Sequence, residues 1–183
     1  MPFLVLSSQF LVLSFFLSYN DWMHRLLPAA LTGVAVVWLA LLLLAPVMPR
    51  QAAVVYELGG RVCHQRPERS FHLAGIQLPV CARCLGLYAS GTMAAAAAWL
   101  VTRRTGTVPD ARAARLLFAV AAAPTMLTVA LEWLGLIDPS NLARALASLP
   151  LGGAAGWLFV RMLLVEPRPR TERSGPRSAS GAK

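Results

Sequence analysis

Long apolar runs separated by short, arginine-bearing connections dominate the chain. Residues 26–47, from Leu26-Leu27-Pro28 to Ala45-Pro46-Val47, form the first clear run, with His24 and Arg25 before it and Pro49-Arg50 behind it. About 20 apolar residues in a helix cross the roughly 30 Å hydrocarbon core of a bilayer. Residues 80–101 form a second run, with alanines from Ala94 to Ala98 and Trp99 near its far end. Small residues let helices approach closely in lipid, so this stretch is expected to pack on neighbours. Residues 114–137 form a third, interrupted by Pro124, a kink that membrane helices tolerate. Residues 141–163 form a fourth, where Gly152, Gly153 and Gly156 make a small-residue face. The pattern predicts an all-α, polytopic membrane protein: a four-helix transmembrane bundle over residues 23–165, with a loop at 50–80.

The two ends read differently. Phe3 to Leu17 is apolar but barely long enough to cross, and it lacks the basic start and small-residue cleavage site of a secretory signal. Residues 1–22 are therefore either an extra N-terminal helix, partly in the interface, or a segment preceding a start at Met23. Residues 166–183 are rich in Pro, Arg and Ser with no apolar face. They are expected to form a disordered basic tail, because they bury too little surface to offset their ordering entropy.

Charge adds orientation. Hydrophobic residues make up 57% of the chain and charged ones only 14%, well below the quarter usual in soluble domains. The net charge of +9 could suggest nucleic acid, but the basic residues gather between apolar runs and in the tail, as topology-setting charge does. The expected partner is the lipid bilayer, with no nucleic acid. Arg25, Arg103, Arg104, Arg112, Arg115 and the tail residues Arg168, Arg170, Arg173, Arg177 and Lys183 fall on one side of the predicted bundle, against Arg50, Arg61, Arg66 and Arg69 on the other. The richer side is expected in the cytoplasm. That makes this a multi-pass protein of the cell membrane, its tail cytoplasmic and its Cys/His loop extracytoplasmic.

All three cysteines fall in one window, Cys63 to Cys84, and His64 touches the first of them. Cys81 and Cys84 form a C-x2-C pair, and 16 residues separate His64 from Cys81, a gap like that between the halves of a structural zinc site. Pro79 reads as the first residue of a helix, which would set Cys81 and Cys84 one turn apart near its N-terminus. The partial positive charge there favours thiolate, and Arg83 adds to that field.

Three arrangements satisfy these residues. Cys63, Cys81 and Cys84 with His64 could hold zinc; adjacent residues seldom share one ion without strain, so His72 is a further candidate for the fourth place. Alternatively Cys81 and Cys84 are a redox pair with Cys63 as exchange partner, coupled to a lipid-soluble electron carrier. Or one disulfide pins the loop and leaves one thiol free. Gln65, Arg69 and Gln77 are close enough in sequence to support such a site by hydrogen bonding. Arg66, Glu68, Arg69 and Ser70 also fit plain loop solvation, Glu68 best of the four.

A second polar cluster lies on the same side. Glu132 is the one acid inside a predicted span, about five residues from its expected end, and Arg144 sits one turn into the next span, which Asn141 opens. An ionised side chain at mid-bilayer costs about 2.5–3.5 kcal/mol, less near an interface, so Glu132 should face a partner, with Arg144 the obvious one. Asp138-Pro139 reads as an N-cap and a first helical Pro. In an up-and-down bundle the first-to-second and third-to-fourth connections share a face. The cysteines should therefore lie near Glu132, Asn141 and Arg144, either as a structural ion pair or as the lining of a composite pocket.

Cys63-His64-Gln65, Pro67, Arg69-Ser70-Phe71, then Gln77-Leu78-Pro79-Val80-Cys81-Ala82-Arg83-Cys84 and Gly86 resemble the signature of a prokaryotic family of small predicted membrane proteins classed as a domain of unknown function. The resemblance extends more weakly over residues 26–163, to an acid, an Asn and an Arg before a Gly-rich stretch, matched by Glu132, Asn141, Arg144 and Gly152. Glu132 in place of Asp and Trp133 in place of Gly depart from that pattern. The resemblance implies a four-helix membrane domain and no reaction. The expectation is an integral membrane protein with a zinc-binding Cys/His site. A membrane thiol–disulfide oxidoreductase and a zinc-dependent enzyme acting on a lipid head group, with Arg144 holding an anion, are the alternatives.

Overall fold

The computed structural model describes residues 26–102 and 110–164. The expectations for residues 1–22 and for the tail at 166–183 lie outside the described residues. Among the described residues, four helices are long and apolar enough to cross a membrane: Leu26–Val47, Ala82–Val101, Ala111–Trp133 and Asn141–Leu164. We label the first helix, residues 26–44, α1; it tightens into a 3-10 turn at Ala45–Val47, where Pro46 removes a backbone donor. Among the large apolar side chains that remain outside the core are Val34, Val37, Leu116, Val120 and Leu127. Such a surface suits acyl chains and would be an aggregation liability in water.

The connection expected as a loop at 50–80 is half helix. Pro49–Val62 forms a 14-residue helix, α2, started by Pro49 at its first turn. Ala52, Val55 and Gly59 are buried on one face while Val54, Glu57 and Leu58 are exposed. That spacing is the amphipathic helical period, and its buried side packs with Leu42, Ala45, Cys63 and Val80. After α2 come a 3-10 turn, Pro67–Arg69, and a two-stranded hairpin, β1 (His72–Leu73) against β2 (Ile76–Gln77), turned through Ala74 and Gly75 at positive φ.

Helices α3 (Ala82–Thr102), α4 (Ala111–Trp133) and α5 (Asn141–Leu164) follow, and α5 packs against both of the others. α3 and α5 run parallel and touch backbone to backbone. A methyl group on Gly86 would overlap Ser148 Oγ and the Ala145 carbonyl; one on Gly156 would overlap Gly91. At the far end Ala95, Ala98 and Val160 close the same seam. In lipid, where apolar side chains gain nothing by leaving solvent, such close approach holds helices together by dispersion. Thr125 Oγ1, donating to the Ala147 carbonyl at 2.8 Å, ties α4 to α5. α1 joins near its last turns, with Trp38 edge-on to Tyr88 at 6.5 Å between centroids.

Two helix ends differ from the sequence reading. α4 stops at Trp133 rather than 137: Gly135 takes φ 69°, and the Leu136 and Gly135 N–H groups donate to the Leu131 and Glu132 carbonyls at 3.0 and 3.1 Å. This is a glycine-centred C-terminal cap. It places Glu132 in the last turn, at the helix end rather than five residues inside. α5 is capped by Ser140, whose Oγ accepts from the Ala143 N–H at 3.2 Å, and not by Asp138.

Candidate metal centre

The cysteines sit where α2 ends and α3 begins. Cys63 follows α2 directly: its N–H donates to the Gly59 carbonyl at 2.9 Å, and extended backbone (φ −145°, ψ 141°) carries the chain away from the helix. Cys81, and not Pro79, marks the start of α3, because its carbonyl accepts from Leu85 N–H at 2.9 Å and the helix opens at Ala82. The first N–H groups of a helix have no partner within it. Here those of Arg83 and Cys84 face the Cys81 sulfur. Hydrogen bonding from Cys84, chiefly through its side chain, holds the Cys81 thiol below its ordinary pKa against the opposing effect of burial.

The two segments meet at sulfur. The Cys81 N–H donates to Cys63 Sγ at 3.2 Å, and the Sγ atoms of Cys63, Cys81 and Cys84 all lie within 4.8 Å of one another. All three are free thiols. A tetrahedral ion with bonds of about 2.3 Å sets its sulfurs about 3.8 Å apart, so small side-chain movements would bring these three into register. Cys63 is buried, and Cys81 and Cys84 are half-buried, among apolar neighbours such as Val80 and Leu85.

Side-chain amides lace the segments together. Gln65 takes φ 48°, and its Nε2 donates to the carbonyls of Tyr56 at 2.7 Å and Pro79 at 2.8 Å. Gln77 Nε2 donates to the Gln65 carbonyl at 2.7 Å and to Ser70 Oγ at 3.2 Å. The Tyr56 hydroxyl donates to the Gln77 carbonyl. Gly59 lets α2 come this close, since a Cβ there would overlap the Pro79 carbonyl. Both glutamines thus fix the approach of Cys63 to Cys81 through backbone carbonyls on the two segments and the turn between them.

Beside the sulfurs lies an ionic cluster around one acid. Glu132, its side chain 8% exposed, accepts from Arg144 at 2.9 Å on one oxygen and from Arg83 at 2.6 Å on the other, and the first oxygen also forms an ion pair with Arg69 at 3.1 Å. Those guanidinium groups come from the 3-10 turn, α5 and α3, so one carboxylate on α4 joins three other segments. Arg144 also donates to Asp138 at 2.7 Å and to Asn141 Oδ1 at 3.1 Å, while Asn141 Nδ2 donates to the Ser70 carbonyl at 3.0 Å. Asp138 is 93% exposed, so water screens most of its attraction. Sequence reasoning paired Glu132 with Arg144 alone; nothing in the spacing marked Arg69 and Arg83 as its further partners.

A cavity of about 270 Å³ opens over both features, lined by the three cysteines, His64, Val62 and four arginines, among them Arg66. His64 is exposed on its rim and is not part of the three-sulfur group. His72 lies exposed on β1, paired across the hairpin with Gln77. Arg66, read from sequence as loop solvation, and Ser70, fully buried, both belong to the site's surroundings. A basic residue in a basic chain carries no signal of its own, which is why Arg66 was missed.

Comparison with known proteins agrees with the architecture. A family model described as predicted membrane protein (DUF2085) matches residues 63–158. The match opens at Cys63 and ends within α5, so α1 and the whole of α2, which the resemblance over 26–163 takes in, fall outside it. An uncharacterised protein of Methanothermobacter thermautotrophicus is 31% identical over 91 residues, covering 50% of this chain and 78% of that relative. An uncharacterised protein of Methanocaldococcus jannaschii is 47% identical over 34 residues, covering 19% of this chain and 22% of that relative. No solved structure matches. With the match spanning just over half of the 183 residues, and with the sulfur group, Glu132 and Arg144 inside it, the chain belongs to the DUF2085 family of predicted membrane proteins.

Proposed function

We propose that this multi-pass membrane protein holds a zinc ion on Cys63, Cys81 and Cys84 at the extracytoplasmic face of the membrane. The observation that carries the reading is the meeting of three free sulfurs, from two segments far apart in sequence, within 4.8 Å. Three thiolates form a soft donor set, and zinc takes such ligands tetrahedrally without redox demands. The hydrogen bonds reaching Cys81 from the start of α3 stabilise the deprotonated form that a metal needs. The fourth position belongs to His64 at the cavity rim, with His72 the more remote candidate. Basic residues are richer on the opposite side of the bundle, which supports an extracytoplasmic site. On that oxidising face a bound ion would also protect the thiols from disulfide formation.

The lowered Cys81 pKa favours a second reading, in which Cys81 and Cys84 work as a dithiol. Metal analysis of the full chain purified in detergent, with thiol titration before and after chelation, separates the two. Near-stoichiometric zinc, with thiols that react only once it is stripped, supports the metal centre. Zinc-free protein carrying a reducible Cys81–Cys84 bond supports the dithiol and ends the first reading. Retention of zinc in both His64→Ala and His72→Ala would show that neither histidine is the fourth ligand.

A further inference from the structure

The cavity over the sulfurs is cationic beyond what its own acids balance. Arg66, Arg69, Arg83 and Arg144 line it. Among the described residues, the carboxylates that reach these arginines are Glu132, whose two oxygens already serve three guanidinium groups, and Asp138, which is 93% exposed. Arg66 takes no part in those ion pairs.

Donors are in excess as well. The Nε atoms of Arg83 and Arg144 are buried and find no acceptor among the described residues, although Arg144 as a whole is only 5% exposed. Burying an N–H without an acceptor is costly, and orphaned donors cluster where a ligand completes the hydrogen bonding. Glu132 meanwhile holds three guanidinium groups within reach of a single carboxylate. A cluster ordered in that way has already met the entropy cost of assembling an anion-binding fork. The volume of about 270 Å³ is many times that needed for one water.

We propose that this cavity binds a phosphate-type oxyanion on Arg66, Arg69, Arg83 and Arg144, supplied either by free inorganic phosphate or by the phosphate of a lipid head group. A tetrahedral oxyanion accepts from several guanidinium groups at once, which the carboxylate beneath it cannot do for all their donors. The cavity lies at the ends of α3 and α4, the depth at which head groups sit. This assignment rests on the arginines and goes beyond the metal reading.

The test uses the full chain. Calorimetric titration with inorganic phosphate in detergent and co-purification with nanodiscs containing phosphatidate or phosphatidylcholine alone distinguish the two sources. Saturable binding of inorganic phosphate, about one per chain, identifies a free anion. Selective retention of phosphatidate with weak inorganic phosphate binding identifies a head group. Arg66→Gln and Arg69→Gln should each weaken binding by roughly tenfold or more, the size of one charge-assisted hydrogen bond. Arg66 is exposed and outside the Glu132 cluster, so its variant should fold even if buried ones do not.

Cys81→Ser separates this proposal from the metal centre. Retained phosphate binding after metal loss supports the arginine site. Loss of both together, with the arginine variants unaffected, would make the anion a metal ligand and overturn it. Absence of binding to either probe in the unmodified protein overturns it outright, whereas phosphate binding by a chain that holds no metal ends only the metal reading.

Discussion

Cys63 and Cys81 stand 18 positions apart in the chain, yet the backbone N–H of one donates to the sulfur of the other at 3.2 Å. The contact joins the end of a surface helix to the start of a membrane-spanning one. Replacing Cys63 with Ser should therefore abolish stoichiometric zinc binding and leave Cys84 alkylating freely without chelator. Zinc content and the count of fast-reacting thiols read both effects; unchanged zinc in Cys63→Ser would remove this sulfur from the ligand set.

Metal-free protein should show unequal thiols. Cys81 is held in its charged form by hydrogen bonds from Cys84 and nearby backbone N–H groups. A thiol with a lowered pKa stays ionised as the pH falls below the ordinary thiol value. In a Cys63→Ser background that retains Cys84, alkylation at Cys81, located by tandem mass spectrometry, should decline less steeply between about pH 8.5 and 6.5 than that of a free cysteine. An identical pH profile would show that these donors do not act on the thiolate.

Gln65 touches neither sulfur but spans the two segments that carry them, with bonds of 2.7 and 2.8 Å. Gln65→Ala should lower zinc affinity by about 10- to 100-fold, the usual effect of removing a group that orients ligands. Competition with a chelator of known affinity measures it. An unaltered affinity would mean that α2 and Pro79 hold their distance without it.

Glu132→Gln should be the most destabilising change at the site, by about 3–5 kcal/mol, because three guanidinium groups lose one shared counter-charge. Asp138→Asn should cost less than about 1 kcal/mol, since that carboxylate is mostly in solvent. Thermal unfolding in detergent compares the pair. Equal effects would contradict the central place given to Glu132.

The seam between α3 and α5 supplies an independent check away from the chemistry. Gly156→Leu should destabilise by more than about 2 kcal/mol, because the backbone of Gly91 fills that space. Gly153→Ala, where nothing lies within 4 Å, should stay within about 0.5 kcal/mol of the parent. A similar response from both would argue against backbone contact between these helices.

Spans were legible because the apolar runs are long and the connections polar, and all four are present within a few residues of their expected limits. Helix ends were less so. Gly135 could have been read as a stop for α4, but Leu136 and Ile137 continue the apolar run beyond it, and hydropathy followed them. α2 was missed for a related reason. Of its buried positions, Ala52 and Gly59 are small, and Val54 and Leu58 lie exposed beside Val55, so the helical period is blurred in the sequence. The shared face of the cysteines and Glu132 followed from counting helices. That three arginines converge on that acid did not, since convergence depends on where α3, α5 and the 3-10 turn sit in space.

Chain order divides the site in two. Every sulfur is present once residue 84 has been synthesised, whereas the carboxylate that gathers Arg69 and Arg83 arrives nearly fifty residues later, with Arg144 after it. During membrane insertion the thiols can thus meet, with Arg66, Arg69 and Arg83 already beside them, before the acid that gathers the latter two exists. Threading of the last hairpin would then convert an open cluster of sulfurs into an enclosed, charge-ringed chamber.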